Sequence, residues 1–201
     1  MKGFSERERE RIEEGLVRAG KEQFSTFGHD RTRIKDLTEE VGIAASTFYQ
    51  FFDSKEALYR EIRGRDRERV AEEVEAVLNA APDQESEIRA GLQFFFEELE
   101  SNRLYYRLVV ENDIESIHRN VPDDRLEAFY REQSTVYEPY ARRWTAEESF
   151  RIDEPAVLIG LLRLLSFTIA AKDRFGDIED SELDGAQEAL LETLVDGLLI
   201  E

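Results

Sequence analysis

Apolar residues recur at helical spacing along almost the whole chain, and nowhere do they alternate convincingly. Ile12, Leu16, Ala19 and Phe24 fall on one side of a helix, with Gln23 at their edge. Ile34, Leu37 and Val41 repeat the pattern over a short segment, and Leu58, Ile62, Val70, Val74 and Val77 over a long one. Leu183, Ala186, Leu190, Leu194, Val195 and Leu198 form a last stripe. A strand buried on one face needs a period of two, which the chain lacks, so the fold class is all-α.

Punctuation sets the helix ends. Ser5 is placed to cap the first helix, and Gly28 to stop it. Thr32 precedes a short helix that ends at Gly42, and a second short helix covers AASTFYQFF. Asp53 or Ser54 caps the next helix, which runs to about Ala80, and Pro82-Asp83 breaks the chain. Longer helices are expected over about 84–101, 103–119, 123–143, 154–175 and 180–200, with Pro139 kinking or interrupting the third of these. The expected domains are residues 1–52 and 53–201, without a flexible linker.

Composition excludes several classes. Among 201 residues, 41% are hydrophobic and 36% charged, too apolar for disorder and too polar for a membrane protein. The most apolar stretch, 155–171, is short for a membrane span and carries Arg163 at its middle. The charged N-terminus does not look like a signal peptide, so a cytoplasmic location is expected. There is no cysteine, which removes thiolate ligands, disulfides and cysteine nucleophiles. Glu115 and His118 form an E-x-x-H, but a helical di-iron site needs a second such motif, and His29 has no glutamate three residues before it. No phosphate-binding loop, dinucleotide fingerprint or nucleophile elbow is present, so neither catalysis nor a metal or other cofactor is expected.

The charge is unevenly placed. The formal net charge is −19, yet residues 1–60 hold 11 basic and 12 acidic side chains, leaving −18 to the remainder. A surface that meets phosphates would be spared carboxylates in this way. Only five lysines occur (Lys2, Lys21, Lys35, Lys55 and Lys172), against 22 arginines. An acidic, lysine-poor surface points to a halophilic protein working in molar salt, which screens such self-repulsion; an ordinary acidic protein is the alternative.

The motif TRIKDLTEEVGIAASTFYQFFDSKEAL (32–58) combines the local signals into a helix-turn-helix. Gly42 permits the turn, and Ile43 and Phe48 anchor the second helix. Ala44, Ala45, Ser46 and Thr47 keep its leading end slim enough for a major groove about 12 Å wide. This segment resembles the DNA-binding signature of TetR-family (TetR/AcrR-like) transcriptional regulators. Thr32, Gly42-Ile43, Thr47-Phe48-Tyr49, Phe51-Phe52, Ser54-Lys55-Glu56 and Leu58 match that pattern, as do Phe24 and Gly28. It departs at Arg33, Leu37-Thr38, Ala44 and Ser46, where the family usually has threonine, Ile-Ala, serine and glycine. The match covers about residues 5–60.

The resemblance implies an N-terminal three-helix DNA-binding domain followed by a larger helical ligand-sensing and dimerisation domain. The function it implies is a homodimeric, ligand-responsive repressor on a palindromic operator of double-stranded DNA. Thr32, Arg33, Lys35, Lys55 and, by resemblance, Tyr49 are expected on phosphates. Ser46, Thr47 and Gln50 are expected at base edges, with Ala44 and Ala45 against thymine methyls. The structural alternatives are a helix cap at Thr32, a Lys55–Asp53 pair and a half-buried Tyr49.

Two half-sites roughly 34–36 Å apart require a dimer. The helices at 154–175 and 180–200 are the candidates, through Leu158, Leu161, Leu162, Leu165, Ile169, Leu190, Leu194 and Leu198. A simple buried central helix is the alternative. An aromatic-rich middle offers Phe95, Tyr106, Phe129, Tyr130 and Tyr137, with Phe167, as the lining of a pocket for an unknown small-molecule effector of mainly apolar character; plain core packing is the alternative. A different class of function, an acidic helical adaptor that binds protein without DNA, would account for the charge of 61–201 but not for the turn motif.

Overall fold

The computed structural model describes residues 4–109, 136–170 and 180–200. Nine helices are seen among these residues: α1 (Glu6–Arg31), α2 (Ile34–Val41), α3 (Ala45–Phe48), α4 (Lys55–Asn79), α5 (Gln84–Ser101), α6 (Arg103–Val109), α7 (Glu138–Trp144), α8 (Pro155–Ala170) and α9 (Asp180–Leu198). The described residues contain no strand, only an isolated antiparallel bridge between Phe150 and Leu199. None of their helices is long and apolar enough to cross a membrane.

Local chemistry sets the ends. Ser5 opens α1 with a capping box: its hydroxyl accepts from the Glu8 amide, and the Glu8 carboxylate accepts from the Ser5 amide at 2.8 Å. Gly28, at φ 79°, bends the end of α1. Gly42 takes φ 76° and ψ 33°, the left-handed conformation that a side chain disfavours, and its amide and that of Ile43 close the carbonyls at the end of α2. Ser54 caps α4 and Asp83 caps α5 through the amides of Ala57 and Ser86. Pro139 sits in the first turn of α7, where its missing N–H costs nothing, so it opens a helix.

Two apolar clusters form. The first joins α1, α2, α3 and the start of α4, with Leu16, Phe24, Leu37, Phe48 and Leu58 fully enclosed; Leu104 of α6 closes it from behind. The second joins the rest of α4 to α5, α7, α8 and α9 around Val74, Ile88, Leu92, Phe96, Trp144, Leu158 and Val195. α4 therefore serves both: Leu58, Tyr59 and Ile62 face the head, and Val74 and Leu78 face the body. A Cβ on Gly20 of α1 would lie 2.7 Å from the Ile62 side chain and 3.0 Å from that of Leu58, so α1 and α4 pack closely there.

Between the clusters α4 turns polar. Arg63, at 3.0 Å, Arg69, at 3.3 Å, and Lys21, at 3.5 Å, contact Asp66. Asn102 donates to Asp66 at 2.8 Å and also to Glu98. Arg69 reaches Glu98 at 2.6 Å. Burial pushes the Asp66 carboxyl up, but the Asn102 hydrogen bond and the three cations outweigh it and hold its pKa below the usual carboxylate value. The network thus ties α1, α4, α5 and the start of α6 together at the boundary of head and body.

Candidate nucleic-acid interface and effector cavity

α3 is a single turn, fixed by the buried Phe48, which packs on Phe52 at 5.9 Å. Everything ahead of Phe48 faces out: Ala44, Ala45 and Ser46 are exposed and Thr47 is half-buried. Tyr49 is 59% exposed, its ring resting edge-on against Phe48 at 5.5 Å. This is no core aromatic. The Gln50 side is exposed as well, and its carbonyl accepts from Arg9 at 3.2 Å while that guanidinium covers the Phe51 ring at 5.0 Å. The long α1 thereby braces the far end of the turn. Arg33, just ahead of α2, and Lys35, in its first turn, are exposed; Lys35 makes a surface pair with Glu39 at 3.5 Å. Such a pair is weak and easily exchanged for another anion.

Two residues expected on phosphates are engaged inside the head instead. The Thr32 hydroxyl donates to the Gly28 carbonyl at 2.8 Å, and the residue is buried. Lys55 donates to the carbonyls of His29 at 2.6 Å and Thr32 at 3.0 Å. Its ammonium closes carbonyl groups left open at the end of α1, because α4 starts directly against that end. His29 is buried between Phe24 and Tyr59, and burial, reinforced by the Lys55 charge, lowers its pKa from the ordinary 6.5.

These elements bring Arg33, Lys35, Ala44, Ala45, Ser46, Thr47, Tyr49 and Gln50 to the open side of a helix-turn-helix. Residues 16–62, which contain all of it, match the model of the bacterial regulatory proteins of the tetR family. The head of this chain is thus similar to the DNA-binding region of the tetR-family regulators.

Similarity to known proteins reaches beyond the head. The HTH-type transcriptional activator FasR of Mycolicibacterium smegmatis is 29% identical over 98 residues, 49% of this chain and 45% of that protein. The chain thus spans less than half the length of that curated relative. The fatty acid degradation regulator FadR from Bacillus halodurans shares the fold with a TM-score of 0.64 at 15% identity, covering 98% of both chains. The ketosteroid transcriptional regulator KstR2 of Mycobacterium tuberculosis does so with 0.60 at 17% identity, over 94% of this chain and 95% of that one.

In the body, Phe95 and Tyr137 meet edge to face at 5.5 Å and both line an apolar void of about 10 Å³, together with Leu92, Tyr140, Trp144 and Leu162. A void of that size holds about one water. Tyr106 is not part of this void's lining; its ring lies beneath the Arg103 guanidinium at 5.4 Å. Phe129, Tyr130 and the side chains of Phe167 and Ile169 lie outside the described residues, as do Glu115 and His118.

The expected dimer face needs correction. Leu158, Leu162, Leu165 and Leu198 are buried in the protomer's own second cluster, because that side of α8 packs on α5 and α7. Leu161, Leu190 and Leu194 are half-buried at its edge. Among the described side chains of α8, the large apolar ones left exposed are Val157 (52%) and Leu164 (69%), which share a stripe with Leu161 at i, i+4 and i+7. The periodicity of so apolar a helix gives no preferred side, and only packing shows which leucines are left over.

Proposed function

We propose that this chain is a TetR-family, sequence-specific DNA-binding transcriptional regulator, acting as a homodimeric repressor on a palindromic operator. The observation that carries this reading is the outward, carboxylate-free leading end of α3, with exposed Tyr49 and Gln50 behind it. In the major groove Ser46, Thr47 and Gln50 read base edges and Ala44 and Ala45 touch thymine methyls, while Tyr49, Arg33 and Lys35 hold phosphates. Thr32 and Lys55 act from within, by fixing the end of α1 against α4. Residues 1–52 are the DNA-binding domain, with the first turns of α4 packed against it; 53–201 sense the effector and dimerise through Val157, Leu161 and Leu164 with the edge of α9.

The effector we propose is mainly apolar and enters the void beside Phe95 and Tyr137. The names of two proteins that share the fold, a fatty acid degradation regulator and a ketosteroid regulator, support an effector of this character. Its binding favours a spacing of the heads that no longer suits the operator.

Selection of genomic fragments by the purified protein in molar KCl tests the reading. One short palindrome is expected among the bound fragments. Tyr49→Ala combined with Arg33→Ala is expected to abolish its recovery with helix content and dimer mass unchanged. If the folded, dimeric wild type enriches no palindrome, the regulator reading fails and the acidic adaptor takes its place.

A further inference from the structure

The apolar void does not end in apolar surroundings. Along α4, Leu78, Val74, Val70, Arg67 and Arg63 follow one another at spacings of three and four, so they share one face. Leu92, Phe95 and Glu98 do the same on α5. The face from Leu78 to Arg63 runs about 22 Å and changes from aliphatic to charged along its length. At its charged end lies a second void of about 20 Å³, lined by Arg63, Asp66, Arg67, Glu98, Tyr105 and Tyr137. Tyr137 is a wall of both voids.

Two cations, Arg63 and Arg67, and two carboxylates, Asp66 and Glu98, line this second chamber. Lys21, Arg63, Arg67 and Arg69 surround the buried Asp66 and Glu98, with Glu73 on the outer side of Arg69. Cations gather here in a part of the chain that is otherwise strongly acidic. Tyr105 and Tyr137 keep their hydroxyl protons, because burial pushes both pKa values up, and so remain donors. Guanidinium groups and phenols are the donors that an oxyanion takes.

We propose that this chamber is the head-group subsite for an anionic amphiphile: a single apolar chain ending in an oxyanion, with the chain beside Trp144 and the oxyanion on Arg63 and Arg67. The proposal rests on the reading of the body as an effector-binding domain. Entry is an exchange of hydrogen bonds. The ligand oxyanion accepts guanidinium N–H groups that Asp66 accepts from in its absence, and rotation of Tyr137 joins the two voids. Asp66 also holds Lys21 of α1, so the exchange at the chamber loosens a tie to the head.

The single tryptophan of the chain, Trp144, lines the apolar void and is fixed by an indole N–H bond to Glu87 at 2.9 Å. Its emission therefore reports occupancy. The full-length dimer in molar KCl is titrated with dodecanoate, dodecyl phosphate and dodecanol, and operator release is followed in parallel. Both anions are expected to shift the emission and release the operator at concentrations at least about 10-fold below dodecanol. The tighter of the two anions identifies the head group as carboxylate or phosphate. Arg67→Gln is expected to remove the preference for anions while sparing dodecanol binding and operator affinity; Arg67→Lys, which keeps the charge, retains it. If dodecanol binds as well as the anions, the head-group subsite is overturned and the apolar effector site stands. If none of the three shifts the emission or releases the operator, the effector reading fails and this proposal with it.

Discussion

The head and the body solve the same packing problem with different materials. The head encloses a small core with two short helices held between the long α1 and α4, and its joints are made by polar groups that close backbone ends: the Ser5–Glu8 box, the Thr32 hydroxyl on Gly28, and the Lys55 ammonium on His29 and Thr32. The body packs Phe95, Phe96, Tyr137 and Trp144 around α5 and leaves small voids beside them. It carries nearly all of the net charge. The difference teaches where rigidity is needed. A surface that reads bases must hold one geometry, so its joints are specific hydrogen bonds. A chamber that admits a ligand needs walls that can repack, and ring-on-ring contacts are less directional.

The strongest way to break this comparison is to cut each core in turn. Phe48→Ala and Phe96→Ala each remove a fully enclosed ring and are expected to cost about 3–5 kcal/mol. Hydrogen exchange should show the first loosening α1–α3 and the second loosening α5, α7 and α8. If both variants loosen the whole chain equally, the two clusters are one cooperative unit. A smaller cut separates joint from surface. Lys55→Met leaves the carbonyls of His29 and Thr32 without their donor and is expected to destabilise by about 1–3 kcal/mol in thermal or urea unfolding. Lys35→Met, at an exposed pair, should change stability by less than about 0.5 kcal/mol and act on operator affinity alone.

The mildest test is pH. His29 titrates below 6.5 in the folded head, so the unfolded chain binds its proton more readily. Its contribution is complete above pH 6.5 and is lost as the pH falls below it. Asp66 is depressed from 3.8, so its contribution is complete above that value and is lost only in stronger acid. Acid titration followed by amide exchange should therefore loosen the head around His29 before the junction around Asp66. His29→Gln is expected to remove the earlier step; simultaneous loosening in the wild type would contradict the assignment.

How far the sequence could be read follows the same division. Ser5, Gly42 and Ser54 mark helix ends by chemistry confined to a few neighbouring residues and act where the sequence places them, with Ser54 taking the cap left open between it and Asp53. The Lys55 bonds join positions more than twenty residues apart, and no spacing signals them. The junction network was half visible: Arg63, Asp66 and Arg69 share a helix face at i, i+3 and i+6, which reads equally as a solvated surface until α5 and Asn102 are laid over it. α8 is the opposite case. With apolar residues nearly all around it, sequence showed that it must be covered, and only packing separated buried Leu158 from exposed Leu164.

The absent side chain at Gly20 has a mechanical consequence. Because α1 and the start of α4 touch backbone to side chain, the head and the first turns of α4 move as one piece. The 25 residues of α4 then form a lever arm about 37 Å long whose far end lies in the body. A tilt of about 5° at that end displaces the other by about 3 Å, close to the 3.4 Å rise of one base pair. A shift too small to disturb the body's packing is thus enough to put a head out of step with its half-site.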